Sequence, residues 1–283
     1  MISYDPKSWW GLIFKFHKSD TFRRLLPAMI SVALFTEGVA YVNQYLWPGH
    51  LRSTTVVHSL LGFVISLLLV FRTNTAYERW WEGRRLWGSL VNTSRNLALK
   101  LNAALPPEHP SRAVLAHDIA AFASTLKAHL RDAAPVGGLI RHPPNAVAAR
   151  LFQEVEDLRR AGDLTLEHVL TLNGDLSALS DICGACERIK KTPIPYSYSL
   201  FIKKFVFAYI VTMPFVFVAD FRWWTGLFST FMFYVLGSLE IIAEEVENPF
   251  GTDANDLPTD EIAKTIAVNV KEILVTPRSP VEA

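Results

Sequence analysis

Three large apolar side chains recur at one-turn intervals in the second apolar stretch of the chain. Phe63, Leu67 and Phe71 stand at positions i, i+4 and i+8, which places them on one stripe of an α-helix. Beside the stripe lie small or polar residues: Ser59, Gly62 and Ser66. In a pore-lining helix such a stripe would form an apolar constriction that gates by drying. Periodicity alone favours a helix that faces lipid or a protein core, and it leaves the pore as the alternative.

Two cysteines, Cys183 and Cys186, form a CxxC pattern in a polar, helical stretch. A structural zinc site needs about four ligands, and a thioredoxin-type pair is expected in a βαβ context. Because neither context is present, we expect two small helix-packing residues in a reducing compartment. The sequence offers no catalytic metal set, glycine-rich phosphate loop or nucleophile elbow. We therefore predict that the protein is not an enzyme and needs no cofactor.

The composition is typical of membrane spans joined to a polar region. Half of the 283 residues are hydrophobic and 19% are charged, and the mean hydropathy is +0.20, a mixture that few purely soluble chains show. The net charge of +1 gives no argument for nucleic acid or an acidic substrate. We expect membrane lipids as partners and no nucleic acid.

Four apolar segments are candidates to cross a bilayer. They are residues 27–46, 54–71, 205–219 and 223–243. The third has only 15 residues, but Lys203 and Lys204 can lengthen it by snorkelling towards the interface. Trp223 and Trp224 open the fourth as an aromatic anchor.

The polar parts of the chain predict further helices. Residues 73–200 favour helices over 79–104, 111–133, 144–161 and 165–188, with proline or glycine between them. Residues 244–283 form a C-terminal segment with a helix over 259–274, for which Thr259 is a candidate cap. No alternating strand pattern is present. We predict an all-α integral membrane protein that forms a single unit over residues 1–283.

Basic residues cluster on one side of the predicted membrane. Before the first span stand Lys7, Lys15, Lys18, Arg23 and Arg24, and after the second stand Arg72, Arg79, Arg84, Arg85 and Arg95. Positively charged flanks face the cytoplasm. We therefore expect a multi-pass protein of the cell inner (plasma) membrane, with both termini and residues 73–200 in the cytoplasm.

Three longer motifs carry a resemblance to a known family. They are FRTNTAYERWWEGRRLWGSLVNTSR at residues 71–95, CERIKKTPIPYSY at 186–198 and EEVENPFGTDANDLP at 244–258. In this order they resemble the bestrophins, and more closely the bacterial members, with similarity over nearly the whole chain. The resemblance implies a homopentameric ion channel whose second spans line one axial pore. It makes Phe63, Leu67 and Phe71 the expected pore neck.

The resemblance also implies a second constriction near the cytoplasmic exit, and alignment through the turn at Ala161 and Gly162 places Glu167 there. Relatives usually carry an apolar residue at this position. A ring of carboxylates would attract cations and repel anions. The alternative is a solvated helical acid and an alignment shifted by one residue.

A third implied site is the calcium clasp of eukaryotic bestrophins, to which residues 244–258 are similar. Asp253 and Asp256 match ligand positions, and Gly251 permits the sharp bend that such a loop needs. The acidic run is interrupted here by Ala254 and Asn255. We therefore expect no metal, with Asp253 capping a turn and Asp256 preceding the final helix.

Acidic residues also occur within the first predicted span and at the end of the fourth. Glu37 lies near the middle of the first span, where an ionisable group is costly and is therefore a candidate functional residue. We favour the alternative that it is protonated or hydrogen-bonded between helices. Glu240, Glu244 and Glu247 share one face at the end of the fourth span. Basic residues are their expected partners, such as Arg79, Arg84 or Arg85.

The function predicted from these features is passive conduction of small monovalent ions through an axial pore. Chloride is the usual ion of the resembled family, and Glu167 favours a cation preference, so the sign of the permeant ion stays open. The alternative is a nonconducting membrane scaffold or regulator on the same fold.

Overall fold

The computed structural model describes residues 20–48, 54–133 and 142–276, and all regular structure in these ranges is helical. The helices are α1 (Asp20–Tyr41), α2 (Thr55–Ala104), α3 (Ser111–Leu130), α4 (Pro143–Ala161), α5 (Leu166–Lys191), α6 (Tyr196–Phe221), α7 (Trp224–Glu247) and α8 (Thr259–Leu274). A π-helical turn, Val42–Leu46, follows α1. The all-α prediction is confirmed. The predicted flanking charges Lys7, Lys15 and Lys18 and the predicted break at residues 135–138 lie outside the described residues.

Four of these helices are long and apolar enough to cross a membrane. They are Thr21–Leu46, Thr55–Ala104, Tyr196–Phe221 and Trp224–Glu247, with mean hydropathies of 1.7, 2.0, 1.8 and 1.6 over their most apolar stretches. Helix α6 has 26 residues, against the 15 of the predicted third span, because it begins directly after Pro195 and includes Lys203 and Lys204.

Helix α2 is longer than the sequence suggested. It runs for 50 residues without a break, whereas the prediction ended a span at residue 71 and began a new helix at 79. No glycine or proline stands between these positions, so nothing there ends the helix. Polar side chains of this stretch bond back to their own helix, as Thr75 Oγ1 does by donating to the Phe71 carbonyl at 2.9 Å.

The chain divides into two compact units. Of the described residues, those within 80–192 and 248–276 form the helical unit, and those within 20–79 and 193–247 form the span unit. In the helical unit, α8 packs against α3, and α4 packs against α3 and α5. In the span unit, α7 packs against α1 and α6.

The start of α8 differs from the prediction in the residue at its cap position. The helix covers Thr259–Leu274 as predicted, but Pro258 occupies the cap position and no side chain caps it. The Thr259 hydroxyl instead accepts a hydrogen bond from Arg131 Nη2 at 3.0 Å. Arg131, the residue that directly follows α3, thus binds the hydroxyl that the local pattern assigned to the cap.

Candidate ion pathway and polar sites

The proposed neck residues lie on an exposed stripe of α2. The exposed fractions of Phe63, Leu67 and Phe71 are 69%, 46% and 55%. The opposite face of the same helix is buried at Ile65 and Leu69, which belong to the small core of the span unit. The span unit therefore uses one face of α2 for its own packing and leaves the apolar stripe uncovered within a protomer.

The small-residue side of α2 is partly occupied by the protomer itself. A Cβ added to Gly62 would lie 3.0 Å from the Tyr209 hydroxyl oxygen on α6, so Gly62 permits a close approach of these helices. Ser66 Oγ donates to the Gly62 carbonyl at 2.8 Å and Ser59 Oγ to the Thr55 carbonyl at 2.9 Å. This side offers fewer open positions for a pore than the apolar stripe does.

A buried charge cluster follows the stripe directly. Arg72 has a side chain only 2% exposed; its Nη2 lies 2.7 Å from Glu247 Oε2 and its Nε lies 3.7 Å from Glu240 Oε2. Glu247 also accepts from the Ile194 backbone N–H at 2.7 Å, and its carbonyl accepts from Arg79 Nε at 3.0 Å. The acids thus compensate a cation that would otherwise be costly to bury.

The sequence interpretation missed Arg72 as the partner of these acids. Arg72 was counted among the basic residues that flank the second span, and Arg79, Arg84 or Arg85 were the expected partners. The signal was present, because an arginine that directly follows an apolar span is expected to find a carboxylate. Glu244 pairs with Lys203 at 3.2 Å instead, and both of these side chains are exposed.

Glu37 packs against a glycine of the fourth span. A Cβ at Gly226 on α7 would lie 2.9 Å from Glu37 Cδ, so a larger residue there would require the Glu37 carboxyl group to move. The side chain is half-buried. The sequence identified Glu37 as an ionisable residue within a span. The space that its carboxyl group occupies beside Gly226 depends on how α1 packs against α7.

Glu167 lies in the first turn of α5, next to the capping residue Thr165. Its side chain is exposed. Hydrogen bonds from the Thr165 hydroxyl and from a backbone N–H at the helix start lower the pKa of Glu167 below its usual value. The carboxylate is therefore ionised at neutral pH, as an electrostatic role at an aperture requires.

Asp253 and Asp256 are brought together in one tight turn. The Asp256 backbone N–H donates to the Asp253 carbonyl at 3.1 Å, and the Asp253 backbone N–H donates to Asp256 Oδ2 at 2.6 Å. A Cβ at Gly251 would lie 2.7 Å from that same Oδ2. One carboxylate oxygen of the candidate calcium pair is thus engaged in holding the turn.

The cysteines of the CxxC pattern lie in the core of the helical unit. Both are free and buried. Burial raises the pKa of Cys183 and of Cys186 to about 12, so neither is a reactive thiolate at neutral pH. This agrees with the packing role expected from the sequence.

Comparison with known proteins gives a consistent result over nearly the whole chain. A family model described as bacterial and fungal bestrophin protein matches residues 1–272. A voltage-dependent anion channel-forming protein of Synechocystis is 33% identical, over 97% of this chain and 94% of its own. The protein of that name from Escherichia coli K12, YneE, is 31% identical, over 96% and 94%.

Solved structures agree with this result. A bacterial bestrophin homologue from Klebsiella pneumoniae superimposes with a TM-score of 0.83 at 29% identity, covering 90% of this chain and all of its own. A point variant of that homologue gives the same TM-score over 89% of this chain.

Proposed function

Because the chain belongs to the bacterial and fungal bestrophin family, we propose that five copies enclose one axial pore that passes small monovalent anions down their gradient. The protein is a multi-pass membrane channel of the bestrophin type. The observation that carries the pore assignment is the apolar stripe of α2, which stays exposed while the opposite face of the helix is buried. A helix with both a packed and an unpacked apolar face is what a subunit needs to line a shared pore.

The neck of this pore is assigned to Phe63, Leu67 and Phe71. Successive residues of the stripe are about 6 Å apart along the axis, from the 1.5 Å rise of an α-helix. Rings of such side chains cannot replace the hydration shell of an ion. The neck therefore gates ions of either charge by drying, and the sign of the permeant ion must be chosen elsewhere.

Anions are the first candidate because the curated relatives carry the name of anion channel-forming proteins. Cations are the second candidate because Glu167 is exposed and its pKa is lowered. Five such carboxylates at a narrow cytoplasmic exit would oppose anion passage. The net selectivity follows from whether Glu167 lines that exit.

The proposed setting is the inner membrane, with both termini and the helical unit in the cytoplasm. The basic residues that flank the first two spans support this orientation. The tight turn at Asp253 and Asp256, with one carboxylate oxygen already engaged, supports conduction that does not depend on calcium. Membrane lipids and further copies of the chain are the proposed partners.

The test combines assembly with permeation. Native mass spectrometry of the purified protein is expected to give a species of about five protomers, and reversal potentials in asymmetric sodium chloride then report the permeant ion. In Glu167→Ala we expect the reversal potential to shift towards anions, because a negative charge leaves the exit. Glu108→Ala removes an exposed acid elsewhere in the helical unit and should leave the reversal potential unchanged.

The outcomes separate the alternatives. Monomers alone would contradict the channel, because one subunit cannot enclose an axial pore. A folded pentamer that passes no current in planar bilayers, with or without a chelator, would favour the nonconducting scaffold. Equal reversal potentials in wild type and Glu167→Ala would make Glu167 a solvated acid away from the pore.

A further inference from the structure

Three helices of the helical unit bring together two imidazoles and one carboxylate. His129 near the end of α3 and His142 before α4 each place Nε2 at 2.6 Å from Glu187 Oε1 on α5. The two rings are 4.5 Å apart between centroids and inclined by 43°. Their side chains are 23%, 31% and 17% exposed for His129, His142 and Glu187, so the group is half-buried yet open to small solutes.

The charge state of the carboxylate suits a cation. The Glu187 carboxylate lies within hydrogen-bonding distance of His129, His142 and Lys191. The group is an anion at neutral pH, with both imidazole nitrogens directed at the same oxygen. Lys191 holds the other carboxylate oxygen at 3.2 Å, as an outer partner that fixes the orientation of a ligand does.

These three donors form the set of a transition-metal site. Two histidines and one glutamate are a known zinc ligand set with a fourth position left to water. The three ligand atoms lie within 4.8 Å of one another, and ligands of a tetrahedral zinc ion are roughly 3.4 Å apart. Admitting the ion requires both rings to move outward from Glu187, because their nitrogens lie 2.6 Å from its oxygen. Imidazole nitrogen favours zinc, copper or nickel over magnesium or calcium.

We propose that His129, His142 and Glu187 bind a divalent transition-metal ion of the zinc class. The ion joins the end of α3, the start of α4 and the body of α5. None of its three ligands is a proposed neck residue, and neither Asp253 nor Asp256 is among them. The ion is not proposed to take part in conduction.

Binding must overcome one local hydrogen bond. His142 is the cap of α4, and its Nδ1 accepts from the Asn145 backbone N–H at 3.2 Å, so its proton resides on Nε2. Coordination through Nε2 moves that proton to Nδ1 and gives up the capping bond. The cost lowers the affinity, but the bond is long and sits at an exposed helix start, where water can replace the acceptor.

The test is a zinc titration of the full-length protein, stripped with EDTA and freed of any polyhistidine tag. Isothermal titration calorimetry with zinc chloride is expected to give one ion per protomer. His142→Asn is the sharpest variant, because asparagine still caps α4 while the imidazole is lost. We expect zinc binding to weaken about 100-fold in His142→Asn and in Glu187→Gln, since each variant loses one of three ligands.

The control is His117→Ala, which removes an exposed histidine of α3 outside the cluster and should bind zinc as the wild type does. Cobalt provides a second readout on the wild type, with the visible absorption of a four- or five-coordinate ion that His142→Asn abolishes. The proposal is overturned if the wild type takes up no zinc, or if both ligand variants bind it with unchanged affinity and stoichiometry while eluting as the wild-type oligomer.

Discussion

The two units bury their large apolar side chains in opposite ways. In the helical unit, Trp87 and Phe122 are 0% and 1% exposed and belong to one continuous core. In the span unit, Phe63 and Phe207 are 69% and 70% exposed, and the internal core is small. The helical unit is thus covered by its own residues, as a water-soluble domain is. The span unit leaves much of its apolar surface exposed within a protomer, as a subunit of a membrane channel that oligomerises does.

The two units therefore obtain their stability from different interactions. Burial of apolar area stabilises the helical unit within a protomer. In lipid the hydrophobic drive between helices is absent, and close packing and polar contacts hold the helices instead. Within the span unit those contacts are specific ones, such as Gly62 against Tyr209 and Arg72 with its acids.

Truncation of Trp87 is expected to cause the greatest loss of stability. Trp87→Ala empties the centre of the helical core and should destabilise the protein by about 3–5 kcal/mol. The measurement is the thermal unfolding midpoint in detergent, with Phe207→Ala as the matched aromatic truncation on an exposed surface. A loss of similar size in Phe207→Ala would contradict the comparison, because it would mean that the span unit also depends on its own core.

The next greatest loss of stability is expected when the buried charge cluster is broken. Arg72→Leu leaves Glu240 and Glu247 buried without their cation, and breaking such a pair typically costs about 3–5 kcal/mol. Lys203→Ala breaks the exposed pair with Glu244 and should cost less than about 1 kcal/mol. The measurement is the thermal unfolding midpoint of each variant. Equal decreases of the midpoint in Arg72→Leu and Lys203→Ala would mean that the charge cluster is solvated.

A smaller effect is expected where α1 meets α7. Gly226→Ala places a methyl group against the Glu37 carboxyl, and such overpacking costs about 1–3 kcal/mol. The double variant Glu37→Ala/Gly226→Ala should regain part of this loss, since the obstructing group is gone. Additive losses in a double-mutant cycle of thermal midpoints would show that the two side chains do not meet.

The smallest effect on stability is expected at the stripe. Changing Phe63, Leu67 and Phe71 together to alanine should alter the unfolding midpoint little, because these side chains are not part of the protomer core. Current or open probability should rise markedly, since a wider tube wets more readily. The anion-to-cation permeability ratio should stay nearly constant, because no charge changes.

Single-channel recording in planar bilayers measures both quantities. A matched control truncates Phe207 on α6 and Phe231 on α7, which are also exposed but do not belong to α2. If the triple variant remains a folded oligomer and conducts like the wild type, the stripe faces lipid or a neighbouring helix.

Much of the fold follows from local signals in the sequence. Apolar length located four candidate spans, and glycine or proline marked the helix ends near Gly162 and near Pro106 and Pro107. The extent of α2 did not follow, because a change from apolar to polar residues resembles the end of a span although it breaks no hydrogen bond. The family resemblance was confirmed over residues 1–272.

The sites were predictable only in part. The stripe was visible as residue types at helical spacing, whereas Glu167 and the Asp253 turn were singled out through the family resemblance; their roles stay predictions. Arg72 with Glu240 and the group of His129 with Glu187 were missed, because each joins residues that are far apart in the chain. Pairings of this kind depend on helix packing, which periodicity within one segment does not encode.

The position of Arg72 has a consequence for how the chain is made. When the second span leaves the ribosome, Arg72 directly follows the apolar stretch, but Glu240 and Glu247 have not yet been synthesised. At 5–20 residues per second the delay is roughly 10 to 35 s. During that time the arginine must remain hydrated at the membrane surface. The span unit can therefore complete its packing only after the fourth span has inserted, which makes the last transmembrane segment the step that closes the fold.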